Sequence, residues 1–302
     1  MTNYSLSTAG CFRPGVLALA ALFLAAGCGS DESAGDDANV VNVYNWSDYI
    51  GPETIENFES EFGIQVNYDF YDSSEVVDVK LLAGNSGYDV VVHSAQFSSR
   101  LAPIGIYQEL DFSRLPNARH LDPEILEQTQ RYEETIGYNV PYMWGSTGYA
   151  WNEEMVRERL PDHPMNSSDV LFDPDVISRL ADCGVSLLDG RRTFSPWCWR
   201  ILGRDPNAVD EEALAAAEAQ LMRIRPYVRY FSNSKMISDL PNREVCVAMS
   251  WSGDYAQAAA RAEEAGIDID PHYTVPRKAR ACGWMACTCR PMHRTRTMPT
   301  RS

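Results

Sequence analysis

The chain has 302 residues, 45% of them hydrophobic, and a formal net charge of −16. That is enough apolar material for one large or two medium globular domains and excludes a disordered chain. An acidic balance makes nucleic acid a poor partner and suits a cationic ligand, although a negative surface taken alone is more often a solubility feature.

The charge is uneven along the chain. Residues 277–302 hold seven Arg or Lys and no acid, so the first 276 residues carry −23. At the N-terminus an apolar run from Val16 to Ala26 follows Arg13; it is too short to cross a bilayer as a mature helix and ends in small residues before Cys28. This predicts an export signal over residues 1–28. Its end, Leu24-Ala25-Ala26-Gly27-Cys28, resembles a lipobox, in which Cys28 is lipidated and becomes the mature N-terminus. Ala25 stands where Leu is usual, so simple cleavage to a free periplasmic product is the alternative. Residues 29–39, GSDESAGDDAN, are short and acidic, as expected of a solvated tether. Export places the chain in an oxidising compartment, where cysteine pairs can be disulfides.

From Val40 the pattern is that of an alternating α/β protein. Val40 to Tyr44 reads as a strand, and Pro52 to Phe62 as a helix spaced by Ile55, Phe58 and Phe62, with Gly63 as its stop. Ile64 to Tyr68 is the next strand. Ser73 or Ser74 caps a helix over Val76 to Ala83, and Tyr88 to Val92 is a third, buried strand. Short connections between these elements imply a mainly parallel, doubly wound sheet. After Pro141-Tyr142-Met143-Trp144 a second block follows, with helices predicted near Glu153–Arg159, Asp173–Asp182 and Glu211–Ile224 and a strand at Val245–Ser250. No internal repeat is present.

Ligand sites in such sheets lie beyond the carboxyl ends of strands, which draws attention to Asn45-Trp46-Ser47-Asp48 and Trp251-Ser252-Gly253-Asp254. Each loop offers a Trp, small hydroxyls and one Asp, with Tyr49 or Tyr255 beside it. A diammonium ligand calls for this set: a carboxylate gives each ammonium a charge-assisted hydrogen bond, and aromatic faces take the desolvated cation and its methylenes. The competing reading is that Trp46 and Trp251 are core or interface aromatics and that the Asp residues cap helices.

Longer stretches carry more information. YNWSDYIGPETIENFESEFGIQVNYD, DSSEVVDVKLLAGNSGYDVVVHSA, NVPYMWGSTGYAWN, CGVSLLD, IRPYVRYFSNSKMISDL and VCVAMSWSGDYAQA together closely resemble the periplasmic putrescine- and spermidine-binding proteins of ABC importers, over roughly residues 40–189 and 202–276. The resemblance implies an α/β type II periplasmic binding fold. Two lobes, 40–142 and 143–254 with residues 255–302 returning to the first, join near Pro141–Gly145 and Ser250–Asp254 and close on a ligand in the cleft between them. Trp46, Ser47, Asp48 and Tyr49 match the family's first-lobe ligand loop, Ser94 its ligand-contacting Ser, and Trp251 and Asp254 its second-lobe loop. Asn233 stands where the family can place a ligand-contacting Ser. His93 replaces a Pro under Ser94. Cys183 and Cys246 match paired cysteines, which implies a disulfide.

The resemblance breaks at residues 190–201 and after about 276. GRRTFSPWCWRI stands where the family has an apolar helix behind an acidic contact. Back-translating Thr193 to Arg200 and reading one base earlier yields an apolar helix-like pattern ending in Val-Leu-Ala, with Asp permitted at position 193. The same operation on Trp284 to Pro299 yields Asp-Gly followed by a small-residue segment, with an acid at about Met285. The gene or its recorded sequence is therefore expected to lose a base near codon 190, regain one near 201 and shift again near 277–283. Without the intended tail the chain lacks the last part of its first lobe. The same shift explains the basic tail and its cysteines: Cys282, Cys287, Cys289 and His293 lack the paired knuckles of a structural zinc site, so no metal or other cofactor is expected.

No nucleophile elbow, P-loop, zincin motif or dinucleotide fingerprint is present, and the five His are scattered, so no catalytic residue is assigned. The expected role is that of a monomeric, membrane-tethered periplasmic subunit that takes putrescine in preference to spermidine and hands it to an ABC permease in the inner membrane, without nucleic-acid partners. The alternatives are a binding protein for another organic cation, a polyamine sensor, or, further off, a hydrolytic enzyme.

Overall fold

The computed structural model describes residues 39–190, 197–198, 201–203, 210–276 and, as backbone, 281–289. Its strands are β1 (Val40–Trp46), β2 (Gln65–Tyr71), β3 (Val90–Ser94), β4 (Asn139–Asn152), β5 (Val185–Leu187), β6 (Tyr230–Phe231), β7 (Val247–Trp251), β8 (Pro271–Thr274) and β9 (Ala281–Cys289). Helices are α1 (Thr54–Phe62), α2 (Ser74–Leu82), α3 (Ala95–Leu101), α4 (Pro123–Thr129), α5 (Glu153–Arg157), α6 (Asp169–Phe172), α7 (Pro174–Ile177), α8 (Glu211–Ile224), α9 (Met236–Asp239) and α10 (Ser252–Glu264).

The sheet runs in the order β2-β1-β3-β9-β4-β7-β5-β6, with β8 added to β4. β1 pairs in parallel with β2 and β3, and β5 pairs in parallel with β6 and β7. The two parallel wings are joined through an antiparallel pair, β4 and β9. The predicted α/β class and the parallel pairing in each block are therefore present.

Local signals explain where elements start and stop. Gly63 ends α1 in the left-handed region, φ 65°, with its N–H bonded to the Glu59 carbonyl. Ser73 caps α2 by accepting from the Val76 N–H, and Asp210 caps α8 by accepting from Ala213 N–H. β1 extends beyond the predicted Tyr44 because Asn45 and Trp46 pair in register with Phe70 and Tyr71. The helix predicted over 173–182 is instead split: α6 ends before Asp173, which caps the short α7, and a 3-10 turn covers Ser178–Leu180. Pro174 removes an N–H and stops continuation from the preceding turn. Pro141 likewise leaves a register shift in β4 between Pro141 and Met143, so a strand that continues to Asn152 reads in sequence as a broken segment.

Side-chain alternation builds the cores. Tyr149 and Trp151 of β4 and Val247 and Met249 of β7 point into one cluster with Leu160, Leu171 and Ile224. Their intervening neighbours Ala150 and Ala248 meet Met236, Leu240 and Ala258 on the opposite face. The second wing is thus covered on both sides, as its apolar strands require. The first wing has its own core of Tyr44, Trp46, Tyr71, Val77, Leu81 and Val91. Of the atypical 190–201 segment, Trp197 and Cys198 are buried in the second-wing core, with Trp197 5.9 Å from the Phe172 ring and Ile201 packed alongside. The Arg-rich part, 191–196 and 199–200, lies outside the described residues.

Cys183 and Cys246 form a disulfide, with Cα atoms 5.5 Å apart and a sequence separation of 63. It ties the start of β5 to the start of β7, neighbouring strands in the sheet. Changing both residues to Ser is expected to cost about 2–4 kcal/mol of unfolding free energy, measured by urea titration, and the wild-type chain is expected to show no free thiol at either position by alkylation and intact mass.

Candidate functional site

The two loops singled out in sequence come together between the wings. Trp46 and Trp251 meet edge to face at 5.6 Å, and the Tyr49 hydroxyl donates to Asp254 Oδ1 at 2.8 Å. Trp46 is only 5% exposed; it packs on Tyr71 at 4.7 Å and belongs to the first-wing core. Trp251 is half-buried and packs against the cores of both wings. An aromatic surface thus lines the junction from either side.

Asp254 sits in the first turn of α10 but does not act as its cap: the cap position is Trp251, which makes no side-chain capping bond. The carboxyl is 1% exposed. Burial pushes its pKa up to about 7, against the pull of the Tyr49 hydrogen bond and with a further push from the Asp48 charge. Burial first, and Asp254 next, hold the Tyr49 hydroxyl well above its ordinary pKa, so it remains a donor. Among the described residues this buried carboxyl makes no ion pair, and it is suited to receive a positive partner.

The first loop is held by its backbone. Asn45 Oδ1 accepts from Trp46 N–H at 2.7 Å, while its Nδ2 donates to the Tyr49 carbonyl at 3.2 Å. Tyr142, on β4, donates to the same carbonyl through its hydroxyl and accepts from Asn45 Nδ2. The Ser47 N–H bonds to Tyr71 O at 3.0 Å. Asp48 takes up a left-handed conformation, φ 62°, which turns the chain sharply. Asn45 and Tyr142 were not assigned roles from sequence. Asn is a turn-stabilising residue and Asn45 precedes the Trp-Ser-Asp run, so a signal existed; Tyr142 had none, because its contact is 93 residues away.

Other sequence-predicted residues take defined places. The Asp48 carboxylate is exposed and paired with Arg261 of α10 at 2.5 Å, and its carbonyl accepts from Gln257 at 2.8 Å. Ser94 ends β3 and shares a 3.0 Å hydrogen bond with Ser74. Asn233 joins two backbones: its Oδ1 accepts from Asp189 N–H at 2.9 Å, and its Nδ2 donates to the Asp72 carbonyl at 2.7 Å. Met285 of β9 lies in register with Ser94 on one side and Met143 on the other. Thr193 and Cys28 fall outside the described residues.

His93 is fully buried under this region. Its Nδ1 is 2.8 Å from the Tyr107 hydroxyl, its ring packs on Phe97 at 5.6 Å, and Nε2 lies 3.7 Å from Asp78. Burial drops its pKa to about 3, so the ring is neutral and acts as a hydrogen-bonding core residue. A cavity of about 350 Å³ opens between the wings, lined by Ser73, Asp78, Phe97 and Arg100 on one side and Asp189 and Gly190 on the other. Among the described residues no cluster of three His, Cys, Asp or Glu is placed to hold a metal ion.

This α/β fold is shared by known proteins. A family model of bacterial extracellular solute-binding proteins matches residues 53–297. The chain is 44% identical over 261 residues to the putrescine-binding periplasmic protein SpuD of Pseudomonas aeruginosa, covering 86% of this chain and 71% of that protein. It is 39% identical to the putrescine-binding periplasmic protein PotF of Escherichia coli, over 80% of this chain and 66% of PotF. Among solved structures, a putative spermidine/putrescine ABC transporter protein from Listeria monocytogenes superposes with a TM-score of 0.73 at 28% identity, covering 83% of this chain and 73% of that one. With its wings, its cleft and a family match that runs through most of its length, the chain belongs to the bacterial extracellular solute-binding proteins, a family of transport components and not of enzymes.

Proposed function

We propose that the chain is the periplasmic capture subunit of an ABC importer for polyamines, taking putrescine in preference to spermidine and passing it to an inner-membrane permease. The observation that carries this reading is the buried Asp254, held between Tyr49 and the Trp46–Trp251 pair. An alkyl diammonium ion satisfies such a site: one ammonium gives the carboxylate the positive partner it lacks, and the methylenes pack on indole faces. The similarity to putrescine-binding relatives supports the same ligand class. The protein works as a monomer of two lobes, 40–142 and 143–254 with the later chain returning to the first, and is tethered to the membrane through a lipidated Cys28. Ser47, Ser94 and Asn233 border the same cleft.

The reading extends to the two atypical segments. In the intended frame acids stand at 193 and 285, and the second would lie beside Ser94, a position that the register of β9 supports. Resequencing the gene across codons 185–205 and from 270 onward is expected to reveal the loss near 190 with its compensating gain near 201 and the uncorrected shift near 277–283; an unbroken frame whose alternatives do not encode these patterns removes this part of the proposal.

Calorimetric titration tests the ligand class. Putrescine is expected to bind and to compete with spermidine, while amino acids release no heat; binding of a different organic cation alone would favour the sensor or general-cation reading. Asp254→Asn should weaken putrescine binding by about 1.5–3 kcal/mol, the scale of a hydrogen bond to a charged group, and Trp251→Ala by about 0.5–2 kcal/mol.

The sign of the pH effect follows from the raised pKa of about 7. An ammonium ligand selects the ionised carboxyl, so binding below that pH releases a proton, and affinity falls as pH drops, by at most about tenfold per unit. Ligand-free stability moves the other way: this group's contribution is full below the unfolded value of 3.8 and is lost as pH rises toward 7. Titration at pH 6 in two buffers of different ionisation enthalpy should report the released proton in the wild type and not in Asp254→Asn.

A further inference from the structure

Among the described residues, and besides the Trp46–Trp251 ring contact, three sets of hydrogen-bonded or ion-paired side chains cross from the first wing and its loop to the elements of the second: Tyr49 to Asp254, Asp48 to Arg261, and Asn233 to Asp72. The first two use carboxylates, which a cationic solute competes for or neutralises. Asn233 is different. It follows β6 in the second wing, it is 7% exposed, and both ends of its amide are spent on main-chain groups. Oδ1 receives the Asp189 N–H, after β5 in its own wing, and Nδ2 donates to the Asp72 carbonyl, after β2 in the other wing. Only a side chain that carries a donor and an acceptor can serve both at once. Asp72 adjoins Ser73, and Ser73 and Asp189 both line the 350 Å³ cavity, so the bridge spans its rim.

We infer that Asn233 is a closure latch, a positioning residue that joins the two wings through backbone hydrogen bonds whether or not a solute is bound. The inference rests on the reading that the cleft opens and shuts, and goes beyond it by naming a bond that biases that equilibrium without regard to ligand chemistry. An interaction made only in the shut arrangement lowers the share of open molecules. It therefore raises affinity for every solute that the shut form accepts by the same factor and leaves the ratio between solutes unchanged. A residue that touched the solute would instead change that ratio.

Two variants separate the bonds. Asn233→Asp keeps an oxygen for the Asp189 N–H but sets a carboxylate oxygen against the Asp72 carbonyl, so only the bond between wings is lost. Asn233→Ala removes both bonds. The full chain is freed of bound amines by unfolding and refolding with the disulfide intact. Its radius of gyration by small-angle X-ray scattering is expected to rise in Asn233→Asp relative to wild type, with near-UV circular dichroism unchanged. In Asn233→Ala, putrescine and spermidine are expected to bind more weakly by a common factor of about two to ten, the worth of one neutral hydrogen bond. An unchanged radius of gyration in the well-folded Asn233→Asp protein, or a loss confined to one amine, overturns the latch. Should Asn233→Asp fail to refold, Asn233→Ala, which has neither donor nor acceptor on its side chain, supplies the same scattering comparison. A wild-type chain that binds neither amine would defeat the polyamine reading, while the scattering result would still decide the latch.

Discussion

The sheet passes from one wing to the other through the antiparallel pairing of β4 with β9, from Asn139 against Thr288 to Thr147 against Ala281. Everything at the junction is placed relative to that seam. β4 continues from the seam into the second wing, where Thr147 to Trp151 pair with β7, and β9 pairs on its other side with β3. The ends of β1, β3 and β7 are thereby brought to a common region, and with them Trp46, Ser94 and Trp251. The hydroxyl of Tyr142, on the seam itself, bonds to the Tyr49 carbonyl, so the loop that offers Trp46 and Tyr49 is tied to the strand that joins the wings.

On this frame the chemistry is a matter of desolvation. A carboxyl that is 1% exposed and accepts a hydrogen bond from a hydroxyl is costly to ionise, which is why its pKa rises to about 7. Asp48 shows the contrast: exposed and paired with Arg261, it is already satisfied and contributes charge at the rim. The Asp at the fourth position of each of two similar loops thus has different work, set by burial and not by sequence context. His93 carries the same lesson from the basic side, since burial leaves it a neutral ring bonded to Tyr107.

The atypical segment at 190–201 illustrates how a core selects what it can use. Trp197, Cys198 and Ile201 are taken into the second-wing cluster beside Phe172. Volume and hydrophobicity suffice for a place in a core, although the Trp197 indole N–H finds no hydrogen-bond partner among the described residues, and burial lifts the Cys198 thiol to about 12.

Much of the fold was legible from local pattern. α8 runs over the residues its periodicity predicted, Ser73 and Gly63 cap as their types suggest, and the strand-helix alternation from Val40 gave the parallel wing. Such features depend on neighbours within a turn or two, which a sequence displays directly. The split of 173–182 and the length of β4 were not legible, because in each a Pro interrupts the pattern and only packing or partner strands decide whether the element continues. The sequence by itself determined the α/β class, the two Trp- and Asp-bearing loops and, through family resemblance, the cysteine pair. Only the tertiary structure decided that Asp254 is buried and Asp48 paired, that Tyr142 anchors the first loop, and that Asn233 bridges the wings. Those contacts join residues 93 to 213 positions apart, and burial and pairing over such separations are properties of the folded surface that no local pattern encodes.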